Sequence, residues 1–106
     1  MLEEDLTYKI RGAIFAVYKE LGPGLLESIY EAALVYELRK RGLCVEQKID
    51  LLVENKVIVE LKSVSELKDV YFKQLLTYLR ITNKRVGLLV NFNTNDITQS
   101  IKRVVL

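Results

Sequence analysis

The sequence has 106 residues, of which 50% are hydrophobic and 28% are charged, and its formal net charge is +2. This length predicts one domain over residues 1–106, large enough to bury a core without disulfides or a structural metal. The composition excludes a disordered chain, and the near-neutral charge does not by itself indicate a nucleic-acid partner. Because no apolar run is long enough for a bilayer and the start MLEEDLTYK is acidic, unlike a signal peptide, we expect a cytoplasmic protein with no membrane partner.

Two residue counts narrow the chemistry that the chain can perform. Histidine is absent, and Cys44 is the one cysteine. These counts exclude histidine-based triads, histidine-ligated zinc, cysteine-rich zinc sites and an internal disulfide. Catalysis would therefore use carboxylates, lysines, tyrosines and a hard metal that prefers oxygen ligands. We interpret Cys44 as a small, half-buried strand residue.

The predicted elements begin with two helices. Apolar residues spaced by three and four predict a helix over Glu4–Leu21, which ends at LGPG because Gly22 can adopt a positive φ and Pro23 cannot continue a helix. A second helix is expected to start near Leu25 and to end at RKRG, residues 39–42, where basic side chains meet the negative end of the helix dipole. The positions predicted to line this helix are Ile29, Ala33, Val35, Tyr36 and Leu38.

Strands and a third helix follow. From Leu43 to Lys62 the hydrophobic period changes to two, which predicts a β-hairpin or a small meander. The pattern of residues 65–82 predicts a helix capped by Ser65. We expect a buried strand over residues 86–92 and a short last element of helical character over residues 96–105. A strand, a crossover helix and another strand indicate an α/β fold with mixed sheet pairing and helices over at least one face.

The hairpin IDLLVENKVIVELK, residues 49–62, can pair in two registers. A three-residue loop, 54–56, pairs Val53 with Val57 and sets Asp50 opposite Glu60, whereas a two-residue loop would leave each face half charged, so we favour the first register. In that register one face is entirely apolar and the other is mixed. The apolar face holds Ile49, Leu51, Val53, Val57, Val59 and Leu61, and the mixed face holds Lys48, Asp50, Leu52, Ile58, Glu60 and Lys62.

The favoured register places two carboxylates side by side. Opposed β-carbons lie about 4.5–5.5 Å apart, so Asp50 and Glu60 would repel each other unless a cation lay between them. With waters and a backbone carbonyl they would form an oxygen site of the kind that Mg²⁺ or Mn²⁺ accepts, and Lys62 projects from the same face. On spacing alone the alternative stays open: a solvated face with ordinary exposed ion pairs.

Two more polar pairs occur at helical spacing. Gln74 and Tyr78, at i, i+4, project from one side of the third helix, and Glu27 and Tyr30, at i, i+3, lie in the first turn of the second. Ordinary explanations stay open for both pairs. The first pair would be a boundary amide and a packed tyrosine, and Glu27 would be an acidic residue that favours the positive end of the helix dipole.

These residues form an ordered series: Gly24, Glu27, Tyr30, Asp50, Glu60, Leu61, Lys62, Gln74 and Tyr78. The series and its flanking sequence resemble the GxxExxY protein family, within the PD-(D/E)XK nuclease-like superfamily, from about Leu6 to Val105. The resemblance implies a restriction-endonuclease-like core, with a small mixed β-sheet flanked by helices and two N-terminal helices. The segment between Gly42 and Asp50 lacks the additional hairpin that most members of the family carry there.

The resemblance also implies a site and an activity. Asp50, Glu60 and the Leu61 carbonyl would hold Mg²⁺ or Mn²⁺, Lys62 would position the attacking water, and Glu27 would be an additional acidic ligand or water-positioning group. Gln74 and Tyr78 match a QxxxY element that contacts the end or the backbone of a nucleic acid. The implied function is metal-dependent hydrolysis of nucleic acid, with DNA favoured over RNA. A non-catalytic nucleic-acid-binding or protein-interaction module stays open as the alternative, and so does a homodimer.

Overall fold

The computed structural model describes residues 2–106, which form three α-helices, a short 3₁₀ helix and a five-stranded sheet. In chain order the elements are α1 (Glu4–Leu21), α2 (Glu27–Lys40), β1 (Val45–Gln47), β2 (Leu51–Val53), β3 (Val57–Lys62), α3 (Asp69–Thr82), β4 (Val86–Asn91), the 3₁₀ helix (Ile97–Gln99) and β5 (Ile101–Val105). The sheet order is β1-β2-β3-β4-β5. Neighbouring strands are antiparallel, with the exception of the parallel pair β3–β4, which α3 connects. This arrangement confirms the α/β fold with mixed pairing.

Helices cover both faces of the sheet, so strand residues alternate between two apolar clusters. On one side, which we call the helix-pair face, α1 and α2 pack against strand residues that include Val57, Val59 and Leu61. On the other, which we call the α3 face, Ile58 and Leu89 pack against α3. β3 is consequently buried on both faces, as expected for the strand that carries the parallel pairing. In the part of the chain that the structure describes, no helix is both long and apolar enough to cross a membrane.

The first two helices confirm the predicted order and correct some details. α1 has the predicted bounds, and Gly22 has a φ of 68° where the chain leaves it. α2 begins at Glu27, and two positions predicted to line it, Ile29 and Tyr36, are 44% and 71% exposed. Val35 and Leu38 are buried as predicted, and Tyr30 and Leu34 are the other buried side chains of α2. Apolar residues occur on almost every side of α2, so its sequence does not indicate which side faces the sheet.

The predictions for the third helix and the last element need larger corrections. α3 starts at Asp69, and Ser65 lies in a bend because the preceding residue, Val64, is hydrogen-bonded through its backbone to the side chain of Asn91. Residues 96–105 are helical only as the 3₁₀ turn. The chain then forms β5, which pairs with β4 and so satisfies backbone groups that would otherwise be unpaired at a sheet edge.

The β2–β3 hairpin has the predicted three-residue loop. Leu51 pairs with Val59 and Val53 with Val57. The ladder stops at Leu51, however, so the predicted pairs of Asp50 with Glu60 and of Ile49 with Leu61 lie outside it. Ile49 is 83% exposed and does not belong to the apolar face. The physical reason is the short connection from β1, because the chain must reverse direction within residues 48–50.

The structure also corrects the prediction for Cys44. This residue lies just before β1 and is exposed, not half-buried within a strand. Its backbone N–H donates to Oε2 of Glu54, 2.6 Å away, which ties the start of β1 to the β2–β3 turn. The backbone of Cys44, and not its thiol, makes this contact.

Candidate functional site

Glu60 is a carboxylate inside a strand that is buried on both faces. It lies two residues after Ile58, on the same α3 face of the strand, and is only 8% exposed. Its Oε2 atom is buried and has no hydrogen-bond partner among residues 2–106. Leaving a buried polar atom unsatisfied destabilises a folded protein by about 1–3 kcal/mol. The burial of Glu60 contradicts the alternative of a solvated charged face. Lys48 alone matches that alternative, because it is exposed and its Nζ forms an ordinary ion pair with Glu46, 3.4 Å away.

Asp50 lies in the bend before β2, and its side chain is half-buried. Burial raises the pKa of its carboxyl group from 3.8 to about 6, and the negative charges of Glu31 and Glu27 add to the rise, while Lys62 opposes it. Although Asp50 is outside the ladder, it is still close enough to Glu60 for the two charges to interact. The bend therefore keeps the predicted pair of carboxylates together without the predicted backbone pairing.

The pKa of Glu60 is also raised, from 4.5 to about 7. Burial is the largest cause and the negative charge of Asp50 the second; Lys62 lowers the pKa, and Glu27 raises it further. For both acids, burial and the neighbouring negative charges outweigh the compensation from Lys62. A bound cation would reverse both shifts.

A backbone oxygen is directed toward the same region. The Lys62 carbonyl accepts a hydrogen bond of 2.9 Å from the Phe92 N–H, on the β4 side of β3. Successive residues of a strand direct their backbone groups to opposite sides, so the Leu61 carbonyl is directed to the β2 side. There the ladder has already ended at Leu51, beside Asp50. The Leu61 carbonyl is thus left without a partner strand at the position where the carboxylates meet.

Glu27 approaches the carboxylates from the N-terminus of α2. Tyr30 fixes the loop before it, because its hydroxyl donates to the Gly22 carbonyl (2.6 Å) and accepts from the Leu25 N–H (3.1 Å). The Tyr30 ring stacks on Phe92, with centroids 4.4 Å apart. In the series Gly24, Glu27, Tyr30, the tyrosine is therefore an anchor for the loop, while the charge of Glu27 reaches both Asp50 and Glu60.

The loop before α2 is also tied to the end of β3. The Ser63 hydroxyl donates to the Leu25 carbonyl, 2.6 Å away. One turn after Glu27, the negative charge of Glu31 also acts on Asp50. Glu31 is absent from the predicted site, although its i, i+4 spacing from Glu27 was a usable signal.

Lys62 is held at the rim of the site by residues that the sequence analysis did not assign. Its Nζ lies 4.7 Å from the ring centroid of Tyr71, in a cation–π contact. Beside it on β4, Asn91 accepts from the Val64 N–H (3.1 Å) and donates to the Val64 carbonyl (2.9 Å). Tyr71 thus restrains the Lys62 side chain, and Asn91 restrains the chain just after the end of β3.

The two QxxxY residues occupy different surroundings. Gln74 is exposed on α3 and makes no hydrogen bond through its side chain within residues 2–106. Tyr78 is half-buried and lines a cavity of about 280 Å³ together with Asp50, Leu52 and Ile58. We call this cavity the Tyr78 pocket. It brings Tyr78 next to a predicted site residue, whereas Gln74 remains apart.

Comparison with known proteins gives the family. The model of the PD-(D/E)XK nuclease superfamily matches residues 4–104. The chain belongs to the PD-(D/E)XK nuclease superfamily. Searches among curated proteins and among solved structures gave no match. The superfamily predicted from the residue series is confirmed, and the mixed sheet with its helices is consistent with a PD-(D/E)XK core, while the GxxExxY subfamily stays a prediction.

PD-(D/E)XK nucleases generally use divalent metal ions such as Mg²⁺. Among residues 2–106, no three acidic or cysteine side chains are grouped so that they alone could hold a metal ion. The donors that do meet here are two carboxylates with raised pKa values, one of them with an unpartnered buried oxygen, and a backbone carbonyl. Mg²⁺ typically binds to one or two carboxylates and keeps several waters, so this oxygen set fits such an ion.

Proposed function

We propose that this protein is a divalent-metal-dependent nuclease that hydrolyses phosphodiester bonds in nucleic acid, with DNA favoured over RNA. The observation that carries the proposal is the buried, unpartnered Oε2 of Glu60 beside Asp50. An uncompensated charge in a buried strand destabilises the fold, so a purely structural role does not explain the position of Glu60. A bound cation would compensate this charge and explain it.

In this proposal Asp50, Glu60 and the Leu61 carbonyl hold Mg²⁺ or Mn²⁺, and Glu27 adds a further negative group. When bound, such an ion lowers the pKa of water and neutralises charge on the phosphoryl group. Lys62 positions the attacking water through its ammonium group, which Tyr71 restrains from the α3 side. The chain itself contributes orientation and the exclusion of bulk water around Glu60.

The nucleic acid would lie across the α3 side of the site. Lys68, Lys73 and Arg80 are exposed along α3, and such side chains bind phosphates in a way that depends on salt concentration. Gln74, exposed on the same helix, would contact the backbone or end of the strand, and Tyr78 would contact it at its pocket. The homodimer left open by the sequence is tested in the same preparation by light scattering.

The experiment that tests the proposal is cleavage of linear DNA and RNA with Mg²⁺ or Mn²⁺. Asp50→Asn and Glu60→Gln should each reduce the rate at least ~100-fold, because each removes one charged ligand. Glu20→Gln, an exposed carboxylate at the end of α1, is the matched control and should cleave normally. Circular dichroism checks that the variants are folded. Activity that persists in either site variant would overturn the proposal.

A second measurement locates the ion directly. Crystals soaked in Mn²⁺ should show anomalous density between Asp50 and Glu60, and Glu60→Gln crystals should not. One observation favours the alternative of a non-catalytic nucleic-acid-binding module: the described residues offer no third clustered acidic side chain. That alternative predicts binding of nucleic acid that neither metal nor Glu60→Gln affects.

A further inference from the structure

The Tyr78 pocket lies beside the candidate metal ligands but does not include Glu60, so it can hold something other than the ion. We propose that it binds one unpaired nucleobase of the substrate, which makes single strands and frayed ends the preferred substrate. The inference rests on the proposed nuclease function. It goes further because it assigns a ligand to a cavity and a strand selectivity to the site.

The size of the pocket favours a single base. Its volume of about 280 Å³ lies just below the range of about 300–1,000 Å³ that is typical of pockets for drug-sized ligands. A base within a duplex is stacked and paired, and proteins that take a base into a pocket must first remove it from the stack. A cavity of this size therefore accepts a base from a single strand more readily than one from an intact duplex.

The walls of the pocket suit the face of a base. Leu52 and Ile58 are a cross-strand pair on β2 and β3, and they form an apolar floor on the α3 face. The half-buried Tyr78 provides an aromatic side chain next to them. Aromatic rings stack on bases of every sequence, so this combination predicts binding without strong sequence preference.

Polar groups at the pocket suit the edge of a base. The Tyr78 hydroxyl has no hydrogen-bond partner among residues 2–106, so it is available to a ligand. Thr82 donates its hydroxyl to the Tyr78 carbonyl at 2.7 Å, which leaves the hydroxyl oxygen free to accept from a base N–H. Two hydroxyl groups beside the apolar floor of the cavity can orient a flat ligand that has both donors and acceptors.

Cationic side chains stand where the phosphates of a bound nucleotide would lie. Lys84 is held by a 3.1 Å hydrogen bond from its Nζ to Oδ1 of Asn55, and Lys48 also lines the pocket. Asp50 borders both this pocket and the candidate metal site. A base in the pocket would therefore belong to the nucleotide next to the phosphate that is cleaved.

The first test separates the base from the phosphate and uses no metal. Methyl-labelled protein in EDTA is titrated with thymidine and, separately, with deoxyribose 5-phosphate, while the methyl resonances of Leu52 and Ile58 are recorded. We expect thymidine to shift them and the sugar phosphate to leave them in place. Leu52→Trp fills the pocket and should abolish the response of Ile58, whereas Ile81→Trp, on an exposed position of α3, should keep it. No shift with thymidine, or an equal shift with the sugar phosphate, overturns the base pocket.

The second test measures strand selectivity with metal present. Wild type and Ile81→Trp should cleave a single-stranded oligonucleotide about tenfold faster than a blunt duplex of the same sequence, and Leu52→Trp should lose most of that ratio. Lys84→Glu should weaken single-strand binding, with Lys102→Glu on β5 as its control. Thymidine binding without any cleavage would contradict the proposed nuclease function and support the base pocket. Equal cleavage of both substrates by wild type, with no thymidine shift, would support the nuclease function and contradict the base pocket.

Discussion

The two faces of the sheet differ in what they bury. The helix-pair face is an apolar cluster that extends across α1, α2 and all five strands of the sheet, and it includes the stacked rings of Tyr30 and Phe92. The α3 face has a smaller apolar cluster, and it carries Glu60 and Lys62 on the same strand. Alternate side chains of β3 pack on the two faces of the sheet. We infer that the helix-pair face provides most of the stability, whereas the α3 face buries a carboxylate that destabilises the metal-free fold.

The strongest way to test this division is to weaken the helix-pair face alone. Leu34 is fully buried there, so Leu34→Ala should lower the free energy of unfolding by about 3 kcal/mol through lost burial and the remaining cavity. Leu26→Ala, at a leucine that is 72% exposed, should change little. Urea denaturation measures both. Below its unfolding transition, Leu34→Ala should cleave nucleic acid at the wild-type rate. A slower rate in the folded variant would contradict the assignment of stability to the helix-pair face and of the candidate site to the α3 face.

The next effect is a gain in stability on the α3 face. The folded protein has raised pKa values of about 7 for Glu60 and about 6 for Asp50, against ordinary values of 4.5 and 3.8. Between these values the folded state binds more protons than the unfolded state, so without metal the free energy of unfolding falls as pH rises from about 4 to 7. Glu60→Gln removes the largest part of this loss and should stabilise the metal-free protein at pH 8 by about 2 kcal/mol.

Urea denaturation in EDTA at several pH values measures this gain. The difference between Glu60→Gln and wild type should shrink toward zero near pH 4, where the unfolded glutamate also becomes protonated. Glu20→Gln should show no such pH dependence. A Glu60→Gln protein less stable than wild type at pH 8 would mean that Glu60 is a structural residue. Mg²⁺ should stabilise wild type and not the variant, since binding to the folded state alone raises stability.

The fold was predictable wherever local pattern decides it. The spacing of apolar residues in Glu4–Leu21 and the alternation around the β2–β3 loop are local signals, and both predictions were confirmed. The start of α3 was not predictable, because it depends on Asn91 binding Val64 from 27 positions along the chain. β5 likewise depends on the open edge of β4. Pairing between distant segments overrides local preference in both cases.

The candidate site also has residues that a local pattern predicts and residues that only the packing of distant segments brings in. Asp50, Glu60 and Lys62 could be grouped from a hairpin register, since adjacent strands bring their residues together by a simple rule. Tyr71 reaches the site only because α3 packs against the end of β3, which no spacing within the sequence indicates. Glu31 lies at i, i+4 from Glu27, so its spacing was a usable signal once Glu27 was assigned. Glu27 was accessible through the family resemblance, and its negative charge raises the pKa values of both carboxyl groups.

A smaller effect is expected where the two faces meet, at the loop before α2. Tyr30→Phe removes the hydroxyl that binds the Gly22 carbonyl and the Leu25 N–H, and should cost about 1 kcal/mol of unfolding free energy. Faster hydrogen exchange of the Leu25 amide would report the loosened loop directly. Tyr36→Phe, at an exposed tyrosine of the same helix, is the control and should leave both measurements unchanged. Unchanged exchange in Tyr30→Phe would mean that the hydroxyl does not hold the loop.

The smallest effect is expected at the contact between Lys62 and Tyr71. A cation over an aromatic ring gains about 0.5–1 kcal/mol at a partly exposed site, so Tyr71→Leu should keep the fold and lose only this restraint on the ammonium group. If Lys62 positions the attacking water, the loss should lower kcat about two- to fivefold with little change in KM, since the group acts during the chemical step. Tyr8→Leu, at an exposed tyrosine of α1, should leave both constants unchanged. An increase in KM at constant kcat would instead place Lys62 and Tyr71 in substrate binding, and the α3 face would then hold nucleic acid at both ends of the helix.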